Sequence, residues 1–206
     1  MSETLKHSQL QALLQHPSLW RGRGAATVAG IPTGFSALDA ALPGGGWPRC
    51  GVVEILTAGS GFGELTLWAP LVAQFTRAET ARWCTFVAPP FEPFAPAWSA
   101  RGARLDRLLV VRAPQPLWAL EQCLLSGACA IGFAWPQQAS MTELRRLALA
   151  AERGASMGVL IRPLRAAAEH SVAVLRIALT RSATHLRLQL LKGRGLAPRI
   201  IELLLP

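Results

Sequence analysis

Aspartate is almost missing from this 206-residue chain. Asp39 and Asp106 stand beside ten glutamates, most of them isolated. So few carboxylates leave little material for a catalytic acid–base pair or a magnesium cage. The four cysteines, Cys50, Cys84, Cys123 and Cys129, include no CxxC pair, and the four histidines show no HxxxH or HExxH spacing. Metal ligation is therefore not expected, and each thiol lies in or beside an apolar segment, which points to buried reduced cysteines. Long apolar runs are lacking too. The longest weakly polar stretch, 124–135, is short and interrupted by Ser126, Gly127 and Gly132, so it does not suit a membrane span. Residues 1–15 are mixed polar and amphipathic rather than basic then apolar, so no secretion signal is read. The expectation is a soluble, cytoplasmic protein without a cofactor.

What is present is apolar bulk and positive charge. Hydrophobic residues make up 51% of the chain, enough to bury a sizeable core, and the net charge is +9. The charge is uneven. Residues 1–100 hold six basic and six acidic side chains, whereas residues 101–206 hold fifteen against six. Such a half suits a polyanion or an acidic protein face. Nineteen of the 21 basic residues are arginine, however, as a compositional bias would also give.

Hydrophobic periodicity divides the chain. Leu5, Leu10, Leu13 and Leu14 recur near helical spacing, so residues 1–16 are expected to form a helical interaction arm that ends at Pro17. Residues 17–31 are Gly-containing and non-periodic, a linker with one large apolar anchor, Trp20. A core domain follows over 32–206. Thr33 is expected to cap a helix over 35–42. Beyond it, strands are expected at 51–56, 83–88, 107–112, 128–134 and 157–162, with helical stretches between them. The helix over 140–153 carries Ser140 and Glu143 in capping-box spacing. Apolar strands alternating with helices imply a mainly parallel, twisted sheet covered on both faces. Strands at 172–180, 185–192 and 199–205, joined by short turns, imply an antiparallel extension at the C-terminus. The fold class is thus α/β.

A strand, a Gly-rich turn and a helix mark the place of a phosphate-binding loop. Here the turn runs Thr57-Ala58-Gly59-Ser60-Gly61-Phe62-Gly63-Glu64. A working loop needs GxxxxGK[ST], because the lysine neutralises the β- and γ-phosphates and the hydroxyl holds magnesium. Thr57 takes the place of the first glycine, no lysine is present, and Glu64 follows the last glycine. Exchanging an attractive unit charge for a repulsive one at about 4 Å and an effective dielectric of about 20 changes the energy by roughly 8 kcal/mol before screening. The strand 128–134 also ends without the acid that holds a metal's water shell. The degenerate loop (Thr57, Gly59, Gly61, Gly63, Glu64) is therefore expected to be a turn only, and the protein not to be an enzyme.

Thr33-Gly34-Phe35-Ser36-Ala37-Leu38-Asp39, Gly44-Gly45-Gly46-Trp47-Pro48-Arg49 and Val53-Glu54-Ile55 resemble the start of the RecA ATPase core. Lys192-Gly193-Arg194-Gly195-Leu196-Ala197-Pro198 resembles a basic turn that lies at the RecA subunit boundary. Gly63-Glu64-Leu65, Phe86-Val87-Ala88-Pro89-Pro90 with the Pro-rich stretch after it, and Ser126-Gly127-Ala128-Cys129 before Ala134-Trp135 resemble the ImuA family.

That resemblance implies a degenerate RecA-like core in a non-catalytic adaptor of SOS mutagenesis. Its implied partners in translesion DNA synthesis are ImuB, an inactive polymerase relative, and an error-prone replicative-type polymerase, with RecA and DNA as further candidates. Leu10, Leu13, Leu14, Trp20 and Arg21 are the candidate partner contacts, since Trp and Arg are favoured anchors. Lys192, Arg194 and Arg199 are candidates for DNA or an acidic partner. RecA-style DNA pairing does not carry over, because the segments matching the RecA DNA loops, 136–139 and 163–171, are short. The alternative reading is a SulA-like, SOS-induced inhibitor of cell division that binds FtsZ.

Overall fold

The structure, a computed structural model, describes residues 29–80, 82–195 and 199–204. The expected arm over 1–16 and most of the linker lie outside them, and with them Leu10, Leu13, Leu14, Trp20 and Arg21. Among the described residues no helix is long and apolar enough to cross a membrane.

The architecture is mixed α/β. Eight strands form one sheet: β1 Gly51–Thr57, β2 Trp83–Val87, β3 Leu108–Val111, β4 Cys129–Ala134, β5 Met157–Pro163, β6 Leu175–Arg181, β7 His185–Gly193 and β8 Arg199–Leu204. Their order is β3-β2-β4-β5-β1-β6-β7-β8. The pairings from β3 through to β6 are parallel, and β6–β7 and β7–β8 are antiparallel. The parallel strands are near-continuous apolar runs because both faces are covered. The hairpin strands alternate because one face is open, as along Leu186, Leu188 and Leu190.

The helices are α1 Ser36–Asp39, α2 Ala69–Arg77, α3 Ala95–Ala100, α4 Pro116–Leu125 and α5 Met141–Arg153. α5 starts as its sequence predicts. Ser140 Oγ accepts the Glu143 amide at 3.2 Å, and Glu143 Oε2 accepts the Ser140 amide at 2.8 Å. The expected helix over 35–42 shrinks to α1, with a 3₁₀ turn at Pro43–Gly45. Thr33 is not its cap. Its hydroxyl accepts the Phe35 amide, and the Thr33 amide donates to Asp39 Oδ1 at 2.8 Å. The helix expected from residue 64 opens as a 3₁₀ turn, Glu64–Trp68, before α2.

Period-two alternation sends β1 side chains to two cores. Val53 and Ile55 join a core with Leu38, Trp47, Trp68, Phe86 and Phe133, while Val52 joins Leu120, Leu124, Leu144, Leu147 and Leu160 under α4 and α5. Glu54 is fully buried on β1. Arg162 Nη1 donates to its Oε1 at 2.9 Å and Arg176 Nε to its Oε2 at 2.5 Å. Arg176 also donates to the carbonyls of Ala166 and Glu169, which pins the 3₁₀ segment Leu164–Ala168 over the sheet.

Candidate functional site

In an open α/β sheet, ligands and partners meet the crevice outside the carboxyl ends of the parallel strands. Two turns dominate that edge here. The first follows β1. Gly61 and Gly63 adopt φ of +83° and +90°, and a Cβ on Gly63 would lie 2.9 Å from Leu186 Cδ2, so the chain can reverse there only with glycine. The Thr57 hydroxyl donates to the Gly59 carbonyl. Gly61 N–H donates to Glu64 Oε1 at 3.0 Å, and Glu64 is 4% exposed. The degenerate loop residues thus do come together, but the amide that could face a phosphate oxygen is engaged by the chain's own carboxylate.

The second turn follows β2. Ala88 takes φ of +44° and anchors its amide on the Val111 carbonyl at 2.8 Å. Pro89, Pro90 and Pro93 then stiffen the segment that leads into α3. This segment holds two phenylalanines out of the core: Phe91 is 72% and Phe94 69% exposed. Between the two turns lies a cleft of about 270 Å³ whose walls include Pro89, Pro90, Phe91, Phe94, Trp98 and Trp135. Trp135 also borders a neighbouring cleft of about 490 Å³ that carries the half-exposed Trp118.

A line of aromatic rings backs the first cleft. Trp98 packs on Phe86 at 5.3 Å between centroids, Phe86 stacks on Phe133 at 5.2 Å, and Phe133 meets Trp68 edge-on at 5.9 Å. Trp68 in turn stacks on Trp47 at 4.0 Å. The exposed pair therefore shares its cleft with Trp98, the end of a run of close-packed rings, and such rigid aromatic surface presents apolar area at low entropy cost. Charge around the edge is mixed. Glu92 pairs with Arg112 and Glu121 with Arg146, all on or beside these loops. Among the described residues, no group of three His, Cys, Asp or Glu side chains could hold a metal ion.

The basic candidates lie elsewhere. Lys192 lies one residue before the end of β7 and Arg199 begins β8, at the amino ends of the parallel strands, opposite the Glu64 turn. Lys192 Nζ is turned onto its own chain, donating to the Ser171 carbonyl at 2.7 Å. Arg194 and Arg199 are exposed. The structure joins neither to the phosphate-loop residues. Sequence reasoning missed Phe91 and Phe94. The sequence marks them only as two aromatics set among the prolines of a loop, which does not fix whether they point outward or into the core.

No family model matches the chain. It is 30% identical over 120 residues to the cell division inhibitor SulA of Edwardsiella piscicida, a match that spans 56% of this chain and 70% of that protein. A crystal structure of SulA from Pseudomonas aeruginosa aligns at 25% identity and a TM-score of 0.45, covering 54% of this chain and 97% of that one. The sequence likeness overturns the ImuA assignment, and with it the adaptor role in translesion synthesis and the ImuB and polymerase partners. The RecA and DNA contacts that accompanied that assignment gain no support. The quoted glycine turns and apolar strands mark how an α/β sheet is wound. They do not mark which partner it meets, so they could not separate one family from the other.

Proposed function

The chain belongs to the SulA family of cell division inhibitors, and on that premise we propose that it is an SOS-induced inhibitor of division that binds FtsZ and withholds it from polymerisation. The observation that carries the reading to a place on the molecule is the exposed pair Phe91 and Phe94 beside an aromatic cleft. Large aromatic side chains at a partly desolvated centre, with arginine nearby, are what hot spots are made of. The prolines hold that surface in one shape, so little ordering entropy opposes binding.

Action by contact alone is part of the proposal. The turn after β1 has no lysine to neutralise phosphates, and Glu64 occupies its amide. The protein therefore acts in the cytoplasm without turning over a nucleotide. A RecA-like descent for the core is supported by the central place of β1 with the Gly-rich turn at its end, and by the antiparallel strands that close the sheet.

The test is FtsZ assembly with GTP in the presence of the purified chain, followed by pelleting and light scattering. The expected result is loss of polymer as the chain approaches equimolar amounts, with a soluble complex of the two proteins. Undiminished polymer at a large excess of the chain would overturn the proposal.

A further inference from the structure

The cleft between the turns after β1 and β2 holds one charge that the chain leaves unanswered. Glu64 lines the cleft and is 4% exposed. Its Oε1 accepts the Gly61 amide at 3.0 Å, while its Oε2 is buried and has no hydrogen-bond partner. A buried carboxylate oxygen in that position is costly, because it has given up water and gained nothing in return. The guanidinium groups around the cleft are turned elsewhere. Arg181 Nη1 donates to the Gly61 carbonyl at 3.4 Å and Arg101 Nη1 to the Ala97 carbonyl at 3.3 Å. Glu92, the other acid on the cleft, is paired with Arg112. Among the described residues no basic side chain forms an ion pair with Glu64.

We propose that the cleft receives a basic side chain of the partner protein, its cationic head on Glu64 Oε2 and its aliphatic stem along the proline and phenylalanine walls. The inference rests on the division-inhibitor reading and names the group on FtsZ that the Phe91–Phe94 surface selects: an exposed arginine or lysine.

Size, wall chemistry and charge each point to that occupant. A volume of about 270 Å³ lies just below the ~300 Å³ at which sites for whole small molecules begin. It suits one long side chain and not a nucleotide. The wall is mostly apolar and includes Pro89, Pro90, Phe91 and Phe94. Lysine and arginine suit such a wall because their methylene stems accept apolar contact while the charged end seeks a carboxylate. Aromatic rings also attract a cation through their faces. An acidic group would be repelled, and an apolar one would leave Oε2 as it is. A neutral donor would pair with it, but a charge-assisted hydrogen bond is roughly twice as strong. Arginine is favoured over lysine, since its planar guanidinium both stacks on rings and donates in a fixed fork.

The probe is acetyl-arginine amide, with acetyl-glutamine amide and acetyl-norleucine amide as uncharged counterparts, each titrated into the isotope-labelled full chain and followed by NMR. Amide shifts at Gly61 and Glu64 should saturate with the arginine probe and need at least about tenfold higher concentrations of the other two. Glu64→Gln keeps an oxygen for the Gly61 amide and replaces Oε2 by an N–H donor. It should abolish the arginine shifts and lower FtsZ affinity at least about tenfold, with its urea midpoint near that of wild type. An uncharged probe that binds as tightly, or an arginine probe that leaves Gly61 and Glu64 unmoved, would overturn the proposal. So would a Glu64→Gln chain that binds FtsZ as tightly as wild type, a result that leaves the division-inhibitor reading standing. A wild-type chain that ignores FtsZ sinks that reading instead, and the probe titration then decides the cleft by itself.

Discussion

Glu64 Oε1 accepts the Gly61 amide at 3.0 Å, and the other carboxylate oxygen is buried without a partner. The glutamate thus satisfies a turn that glycine geometry would otherwise leave open. Glu64→Ala orphans that amide and should lower unfolding free energy by about 1–3 kcal/mol, read from urea denaturation. The same variant should release no phosphate from ATP, because the loop still lacks the lysine that would hold the γ-phosphate. Appearance of ATP hydrolysis in the variant would show that the carboxylate alone had silenced an active loop.

Phe91 and Phe94 are mostly exposed, so truncating them removes little folded-state packing. Phe91→Ala with Phe94→Ala should leave the melting temperature close to wild type. Loss of a hot-spot pair is worth about 2 kcal/mol or more, so FtsZ affinity should fall at least about thirtyfold in a titration. Unchanged FtsZ binding with full stability would place the docking surface elsewhere.

The parts of the fold that were legible are those written in local pattern. Apolar runs gave the parallel strands, and the Ser140–Glu143 spacing gave a helix start that the side chains form as expected. What escaped depends on distant partners. Glu54 appears in sequence as a charge interrupting a strand, and its two arginines lie 108 and 122 residues away. Exposure of Phe91 and Phe94 is likewise a tertiary outcome, because aromatic residues beside prolines can equally anchor a loop inward. The phosphate-loop residues were located together by the sequence, but the use of the Gly61 amide by Glu64 needed coordinates. Family assignment failed for a related reason: the motifs quoted report how the chain winds through its turns and strands, which does not specify a partner.

The buried Glu54 gives the sharpest stability test. Its carboxylate is enclosed by Arg162 and Arg176, and Arg162 also reaches Glu169 at 2.6 Å. Glu54→Gln leaves two buried guanidinium groups facing a neutral acceptor and should cost about 3–5 kcal/mol in denaturant unfolding. Because Arg176 ties down residues 164–168, Glu54→Gln should also raise amide exchange in that segment before the rest of the sheet.

The buried thiols predict an alkaline limit. Burial raises the Cys129 pKa from 9.0 to about 11, and burial also pushes Cys84 well above the ordinary thiol value. Below pH 9 both thiols stay protonated whether or not the chain is folded, so stability is unaffected. From pH 9 upward the unfolded chain ionises while the folded thiols resist, and stability falls as pH rises through about 11. Chemical denaturation from pH 8 to 11 should show that decline, and Cys129→Ala should make it shallower. At neutral pH, a thiol reagent should modify Cys84 and Cys129 only on unfolding.

The cap of α5 predicts the acid side. The Ser140 side chain and amide, as donors to Glu143, hold that carboxyl below its ordinary value of 4.5. A depressed folded-state pKa means the contribution is complete above that ordinary value and disappears as pH falls through the folded one. Ser140→Ala removes the hydroxyl from both sides of the box and should cost about 1 kcal/mol at neutral pH. As pH falls below 4.5 and through the depressed folded value, the wild-type protein itself protonates Glu143, so the gap between wild type and variant should narrow at acid pH. Urea midpoints for both proteins at the two pH values measure this directly. A gap that stays constant would mean that the hydroxyl acts on the Glu143 amide alone and the carboxylate contributes nothing to the helix start.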